Sequence, residues 1–155
     1  MIKAVTSDQK DIIEQIIKLE ADAFGEGGLS EWDLIPLIRH GRVFCKEEDG
    51  RVLGCIQYMQ DWNDHTKAYA VGISIASDQR GKGYGTELFN ASMYRLAGEG
   101  IKTVELTVDP ENTAAIEVYG RKLGFAVTDH RTDEYGKGVN RISMEKKFSK
   151  DSPWK

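Results

Sequence analysis

The chain has 155 residues, 40% hydrophobic and 30% charged, with a formal net charge of -4. That length and mix are ordinary for a soluble globular protein, with one domain as the default. The charge balance gives no support for a nucleic-acid or anionic-membrane partner.

The two cysteines, Cys45 and Cys55, lie in short apolar runs and read as small buried hydrophobes in a reducing compartment. On neighbouring strands they can lie close, but a disulfide is not expected. With no secretory signal, lipidation motif or long apolar span in sight, the expectation is a cytoplasmic protein.

Residues 1–5 form a short apolar segment, a first strand, and Thr6-Ser7-Asp8 offers N-cap chemistry. Ile12, Ile13, Ile16, Ile17, Leu19 and Phe24 then recur at helical spacing, so a helix is expected over about residues 8–23. Gly25, Gly27 and Gly28 end it. Ser30 can cap a second helix carrying Trp32, Leu34, Ile35, Leu37 and Ile38, with a kink or short first turn expected at Pro36. Core packing is the ordinary expectation for Phe24 and Trp32.

Residues 42–48 and 52–60 are strand patterns joined by Asp49-Gly50, a strong two-residue hairpin signal. Residues 60–67 are polar with one tryptophan, hence a loop. The next strand, 68–76, has Gly72 in its middle, which points to a bulge or a close backbone approach by another group. A helix follows over about 84–98, with Leu88, Phe89, Ser92 and Leu96 on one face. Strand 103–108 turns Val104, Leu106 and Val108 one way and Glu105 and Thr107 the other. Asn112 stands where a helix wants its N-cap. Ala115, Ile116, Tyr119 and Leu123 form one helical face, and Gly124 is the C-cap. Strands 125–129 and 139–147 close the chain, and residues 149–155 read as a frayed polar tail. The order β-α-α-β-β-β-α-β-α-β-β argues a mixed α/β sheet covered on both faces.

Between the strand ending at Ile75 and the helix beginning at Tyr84 lies Asp78-Gln79-Arg80-Gly81-Lys82-Gly83-Tyr84-Gly85-Thr86. A glycine-rich turn before a helix aims unpaired backbone N–H groups at one spot, at the positive end of the helix dipole. Glycine allows close approach and unusual dihedrals, and Arg80 and Lys82 add charge. The ligand suited to such a cradle is a phosphate or pyrophosphate. The stretch lacks the P-loop pattern, and Thr86 stands where a dinucleotide-binding turn starting at Gly81 needs glycine.

Arg80-Gly81-Lys82-Gly83-Tyr84-Gly85 instead matches [RQ]-x-x-G-x-[GA], and so resembles the coenzyme A signature of the GNAT N-acetyltransferase superfamily. Upstream, Ile73-Ser74-Ile75 aligns with the family's apolar strand, and Ser77 falls where a proline is frequent. Downstream the resemblance runs from Leu106 through Asn112, Ala115 and Tyr119 to Leu123-Gly124-Phe125. It is strongest over residues 71–125, and within the superfamily it is similar to the RimI-like, ribosomal-protein-alanine branch. It implies a GNAT fold: a mixed, mostly antiparallel α/β (α+β) sheet of about seven strands with helices on both faces. It further implies one N-acetyltransferase domain over residues 1–148, a monomer or homodimer, with no membrane or nucleic-acid partner.

The function implied is transfer of an acetyl group from acetyl-CoA to a primary amine by direct attack in a ternary complex, with no metal. The backbone of Ile73, Ser74 and Ile75 would hold the pantetheine, and residues 80–86 (Arg80, Gly81, Lys82, Gly83, Tyr84, Gly85, Thr86) the pyrophosphate. Asn112 and Ala115 would flank the pantetheine arm. Tyr119 would stand beside the sulfur as the acid; a phenol pKa of ~10 is close enough to a thiol's ~8.5 for that. The RimI-like branch places a glutamate where this chain has Thr107. Glu105, two residues earlier on the same face, is the candidate base through water, or else a sheet-surface carboxylate paired with a lysine. Asp22, Glu26, Asp61 and Asp64 are further acidic groups near the acceptor end, and His65 and His130 are loop and edge histidines of the kind that are usually solvated.

The acceptor wall would be built from Phe24, Glu26, Trp32 and Asp61. The acceptor, a small-molecule or peptide amine, carries no signature, and acidic residues in the bordering loops (Glu26, Asp61, Asp64, Asp133, Glu134) point to a cationic one. The alternative is a non-catalytic acyl-CoA-binding module of the same fold.

Overall fold

The computed structural model describes residues 1–148, so the tail expected at 149–155 lies outside the described residues. Hydrogen bonding orders seven strands β1-β2-β3-β4-β5-β7-β6. The backbone divides into two compact units: Met1–Gln60 with Ala70–Ser92, and Asp61–Tyr69 with the described residues from Met93 on.

In the first unit, β1 (Ile2–Ala4), β2 (Arg42–Glu48) and β3 (Arg51–Gln60) pair antiparallel in sequence order. The β2–β3 turn is Asp49-Gly50, with φ of 51° and 79°. Two successive left-handed residues match the twist of the flanking strands, which is why this dipeptide marks a tight hairpin. Helix α1 (Lys10–Phe24) buries Ile12, Ile13, Ile16 and Leu19 in a cluster with Leu34 and Ile38 of α2 (Glu31–His40) and Val43, Val52 and Ala76. Gln15 clips α1 to the hairpin: its Nε2 donates to Gly50 O at 3.0 Å, and its Oε1 accepts from Val52 N at 2.8 Å. Cys45 and Cys55 are register partners across β2 and β3, both buried and both free thiols.

The second unit contains β5 (Thr103–Val108), β6 (Ala126–Arg131) and β7 (Arg141–Lys147), with β7 antiparallel to both. Strand β4 (Lys67–Ile75) runs through both units. Its first three residues pair in parallel with Thr103, Val104 and Glu105, and the recorded ladder ends at Tyr69. A parallel pair needs a crossover, supplied here by α3 (Tyr84–Gly98).

Four local expectations change. Helix α1 starts at Lys10 behind Gln9 and has no side-chain cap; Thr6 and Asp8 bond each other, and Gln9 Oε1 accepts from Thr6 N at 3.0 Å. Helix α2 runs through Pro36 from Glu31 to His40, and the residue whose carbonyl Pro36 leaves unbonded, Trp32, is exposed. At its start Asp33 reaches back to Ser30 N at 3.0 Å. Phe24 and Trp32 are not core residues: they are 52% and 89% exposed. Finally, the helix after Asn112 is α-helical only over Thr113–Glu117, here α4, and then widens into a π-turn over Val118–Lys122. Leu123 N donates to Val118 O at 3.3 Å, five residues back, and Gly120 inside the turn weakens competing α-helical closure.

Candidate active site

The turn over residues 80–86 is built from its glycines. Gly81 and Gly83 have φ of 79° and 81°, values that L side chains rarely adopt. A Cβ on either would meet no neighbour within 4 Å, so the requirement is conformational. Gln79 N donates to Ala76 O and Glu87 N to Gly83 O. Among the described residues, the seven amides between them, from Arg80 to Thr86, have no protein acceptor. Seven consecutive donors at a helix N-terminus make an anion cradle. Side chains frame it: Arg80 Nε donates to Ile75 O at 3.3 Å, and Lys82 Nζ to Gln79 Oε1 at 3.1 Å. Lys46 Nζ lies 4.5 Å from the Tyr84 ring centre and 3.0 Å from Glu87 Oε1, fixing the first turn of α3.

Upstream on β4, Ile73 and Ile75 are half-buried, and Ser74 is buried with its Oγ 3.2 Å from Cys55 Sγ. Gly72 is the close approach expected: a Cβ there would stand 3.3 Å from Gln57 Oε1. Gln57 and Glu20 form a buried polar pair that sequence reasoning passed over. Glu20 is 2% exposed, and burial pushes its carboxyl up to about 6, with Gln57 opposing. Glu20 Oε2 and Gln57 Oε1 each lack a hydrogen-bond partner. The signal was present, since Glu20 falls four residues after Ile16 on the buried stripe of α1.

In the second unit, Asn112 caps α4 by accepting from Ala115 N at 3.2 Å. Ala115 and Tyr119 are half-buried, and the Tyr119 ring packs on Phe125 at 6.2 Å between centres. Burial pushes the Tyr119 phenol up, and the Arg141 charge opposes it. Arg141 is the third residue missed. Its Nε donates to Thr107 Oγ1 at 3.2 Å and its Nη2 to Thr107 O at 2.8 Å. Tyr69 Oη stands 3.0 Å from the same Thr107 Oγ1, and the guanidinium lies 5.8 Å from the Tyr135 ring centre. Glu105 is 8% exposed and closely held: its Oε1 accepts from Arg131 Nη2 at 2.7 Å and Ser143 Oγ at 2.8 Å, with Lys67 Nζ at 3.7 Å.

The other acidic candidates are dispersed. Glu26 lies exposed in a short 3-10 turn, Gly25–Gly27. Asp61 accepts from the amides of Asn63 and Asp64, and Asp64 from Thr66. His65 and His130 are exposed. Among the described residues no group of three or more His, Cys, Asp or Glu could hold a metal ion, and no helix is long and apolar enough to cross a membrane.

A family model described as the acetyltransferase (GNAT) family matches residues 13–125. The chain belongs to the GNAT acetyltransferase family. Acetyl-CoA is the donor that GNAT enzymes use. The mycothiol acetyltransferase of Streptomyces griseus subsp. griseus is 31% identical over 113 residues, covering 70% of this chain and 36% of that protein. The L-2,4-diaminobutyric acid acetyltransferase of Nocardia farcinica is 30% identical over 92 residues, covering 57% of this chain and 47% of that protein. The chain therefore spans less than half the length of either relative. The ribosomal-protein-S18-alanine N-acetyltransferase from Escherichia coli superposes with a TM-score of 0.76 at 19% identity, over 96% of this chain and 94% of that one, a likeness of fold. This GNAT chain thus has the family's seven-stranded mixed sheet.

Proposed function

We propose that this chain is an acetyl-CoA-dependent N-acetyltransferase acting on a primary amine by direct attack within a ternary complex. The observation that carries the reading is the run of seven backbone amides, residues 80–86, with no acceptor among the described residues. The first amides of a helix have no partner within it and face outward, and a diphosphate is the ligand whose charge and oxygen count suit this row. When bound, acetyl-CoA supplies the thioester whose carbonyl the amine attacks.

The chain's own groups have these tasks. The amides of residues 80–86 receive the diphosphate, with Arg80 and Lys82 adding charge. The backbone of Ile73, Ser74 and Ile75 orients the pantetheine. Tyr119 holds a proton for the departing sulfur: burial keeps the phenol neutral, which is the form that can donate. Glu105 is already engaged as placed: its Oε1 accepts from Arg131 Nη2 and Ser143 Oγ, with Lys67 Nζ at 3.7 Å. An acceptor with an α-amine pKa of about 7.8 needs little help from a dedicated base.

One observation favours a second reading, a coenzyme-binding module without catalysis. Position 107, where the RimI-like branch places a glutamate, is a threonine engaged by Arg141 and Tyr69. Thiol release from acetyl-CoA across a panel of amines separates the two. Turnover that depends on Tyr119 supports the enzyme. Tight coenzyme binding with no turnover on any amine supports the module.

A further inference from the structure

Four of the five acidic residues that pointed to a cationic acceptor lie in the second unit and are engaged there. Asp61 and Asp64 accept from their own loop. Asp133 Oδ1 accepts from Gly138 N at 2.7 Å, and Glu134 lies 3.5 Å from Arg131. Arg141, in the same unit, is a cation that lacks such a partner among the described residues. Arg141 is half-buried, and among the described residues no carboxylate stands within 4.0 Å of its guanidinium. A partly desolvated guanidinium without a counter-ion is costly, and its flat fork of donors is shaped for a carboxylate.

The surroundings are built to hold that fork still. Thr107 takes two of its five N–H groups, at 3.2 and 2.8 Å, and among the described residues Nη1 has no hydrogen-bond acceptor. The 132–140 loop is tied to itself: Asp133 N donates to Asn140 Oδ1, Gly136 N to Asp133 O, and Val139 N to Gly136 O. It carries Tyr135 against the guanidinium. The Tyr119 phenol, assigned above as the proton donor, feels the Arg141 charge. Tyr69 and Tyr135 add two phenol hydroxyls, and a phenol can donate to an anion.

We propose that Arg141 anchors a carboxylate on the acceptor, so that the substrates are amino-acid-like amines and not simple polyamines. This rests on the acetyltransferase reading and deepens it. The Thr107–Arg141 pair positions the acceptor through its acid group, while the amine to be acetylated is presented toward the Tyr119 end.

The test compares acceptors that differ only in the carboxylate: L-2,4-diaminobutyrate against 1,3-diaminopropane, L-ornithine against putrescine, and L-lysine against cadaverine. Acetyl transfer is followed by thiol release, and binding to the coenzyme A-loaded protein by calorimetry. The carboxylated member of at least one pair should be favoured in kcat/KM and in affinity by on the order of tenfold or more, as for one charge-assisted hydrogen-bonded contact. Arg141→Gln should erase that difference by raising KM for the amino acid, and Arg141→Lys should keep part of it; thermal melts show whether each variant is folded. Diamines equal to or better than the amino acids would overturn the proposal without any variant. So would a folded Arg141→Gln protein that keeps the preference. Coenzyme-dependent transfer to other amines, with no amino acid bound or acetylated, would overturn it and leave the transferase reading standing. Failure to bind coenzyme A at all would remove both.

Discussion

The amide of Phe125 donates to the carbonyl of Tyr119 at 2.9 Å, and the two rings pack at 6.2 Å between centres with a 58° tilt. Position 119 is therefore held by its backbone and by ring packing, neither of which needs the hydroxyl. Tyr119→Phe should keep the melting temperature near that of the parent while lowering kcat by about 10²-fold, the low end for a positioned general acid. KM for acetyl-CoA should change much less. Steady-state kinetics with a fixed amine decide it; a variant with unchanged kcat and raised KM would make Tyr119 a packing residue.

Gly83 and Gly85 call for different explanations. Gly83 has φ of 81°, so a β-branched side chain is strained there before any ligand arrives, by about 1–2 kcal/mol or more. A Cβ at Gly85 would only touch Ile73 and Ile75 at 4.0 Å. Gly85→Ala should melt like the parent, and Gly85→Val should weaken coenzyme A binding through the ligand's side of the loop. Gly83→Val should lose both binding and some stability. Calorimetric titration with coenzyme A checks both; parent-like affinity in both valine variants would take the diphosphate away from this turn.

Glu20 sets a pH dependence of folding. Its carboxyl rises from the ordinary 4.5 to about 6 because burial disfavours the charged form. The folded state thus prefers Glu20 protonated. The cost is absent below 4.5, grows as pH climbs through about 6, and then stays constant. A shift of this size corresponds to about 2 kcal/mol. Glu20→Gln, which cannot ionise, should gain stability over the parent as pH rises across that window. Denaturant unfolding of both proteins from acid to neutral pH should show the gap opening there; parallel curves would count against a strained carboxylate.

Cys45 and Cys55 should be chemically silent. Burial pushes their thiols up to about 11 and about 12. Only a thiolate is strongly nucleophilic, so neither should be labelled by iodoacetamide in the native protein at neutral pH, and both should react after unfolding. Cys55→Ser and Cys45→Ala should leave no acetyl-enzyme to lose; mass spectrometry after incubation with acetyl-CoA, finding acetylated cysteine, would contradict direct transfer.

The legible parts of the chain were those whose cause is local. Asp49-Gly50 and, in the 80–86 turn, Gly81 and Gly83 adopt left-handed backbone, and the residue type reveals it. Asn112 was readable as a cap for the same reason: its side chain bonds an amide three residues away. Exposure of Trp32 was not readable, because burial depends on what lies opposite, and α2 buries Leu34 and Ile38 instead. The Thr107–Arg141 contact was hidden because it depends on the β5–β7 register, in which Thr107 lies opposite Ser143. The residues were on the page, but the distance between them was not.

The widened turn at Val118–Lys122 behaves like a spacer one residue too long for the helix that contains it. An α-helix advances about 100° per residue, so deleting Gly120 would restore ordinary winding and swing Tyr119 by about that angle relative to Leu123. Homologues lacking this extra residue would have to aim their phenol by some other means, and length, more than composition, is the quantity to compare among them.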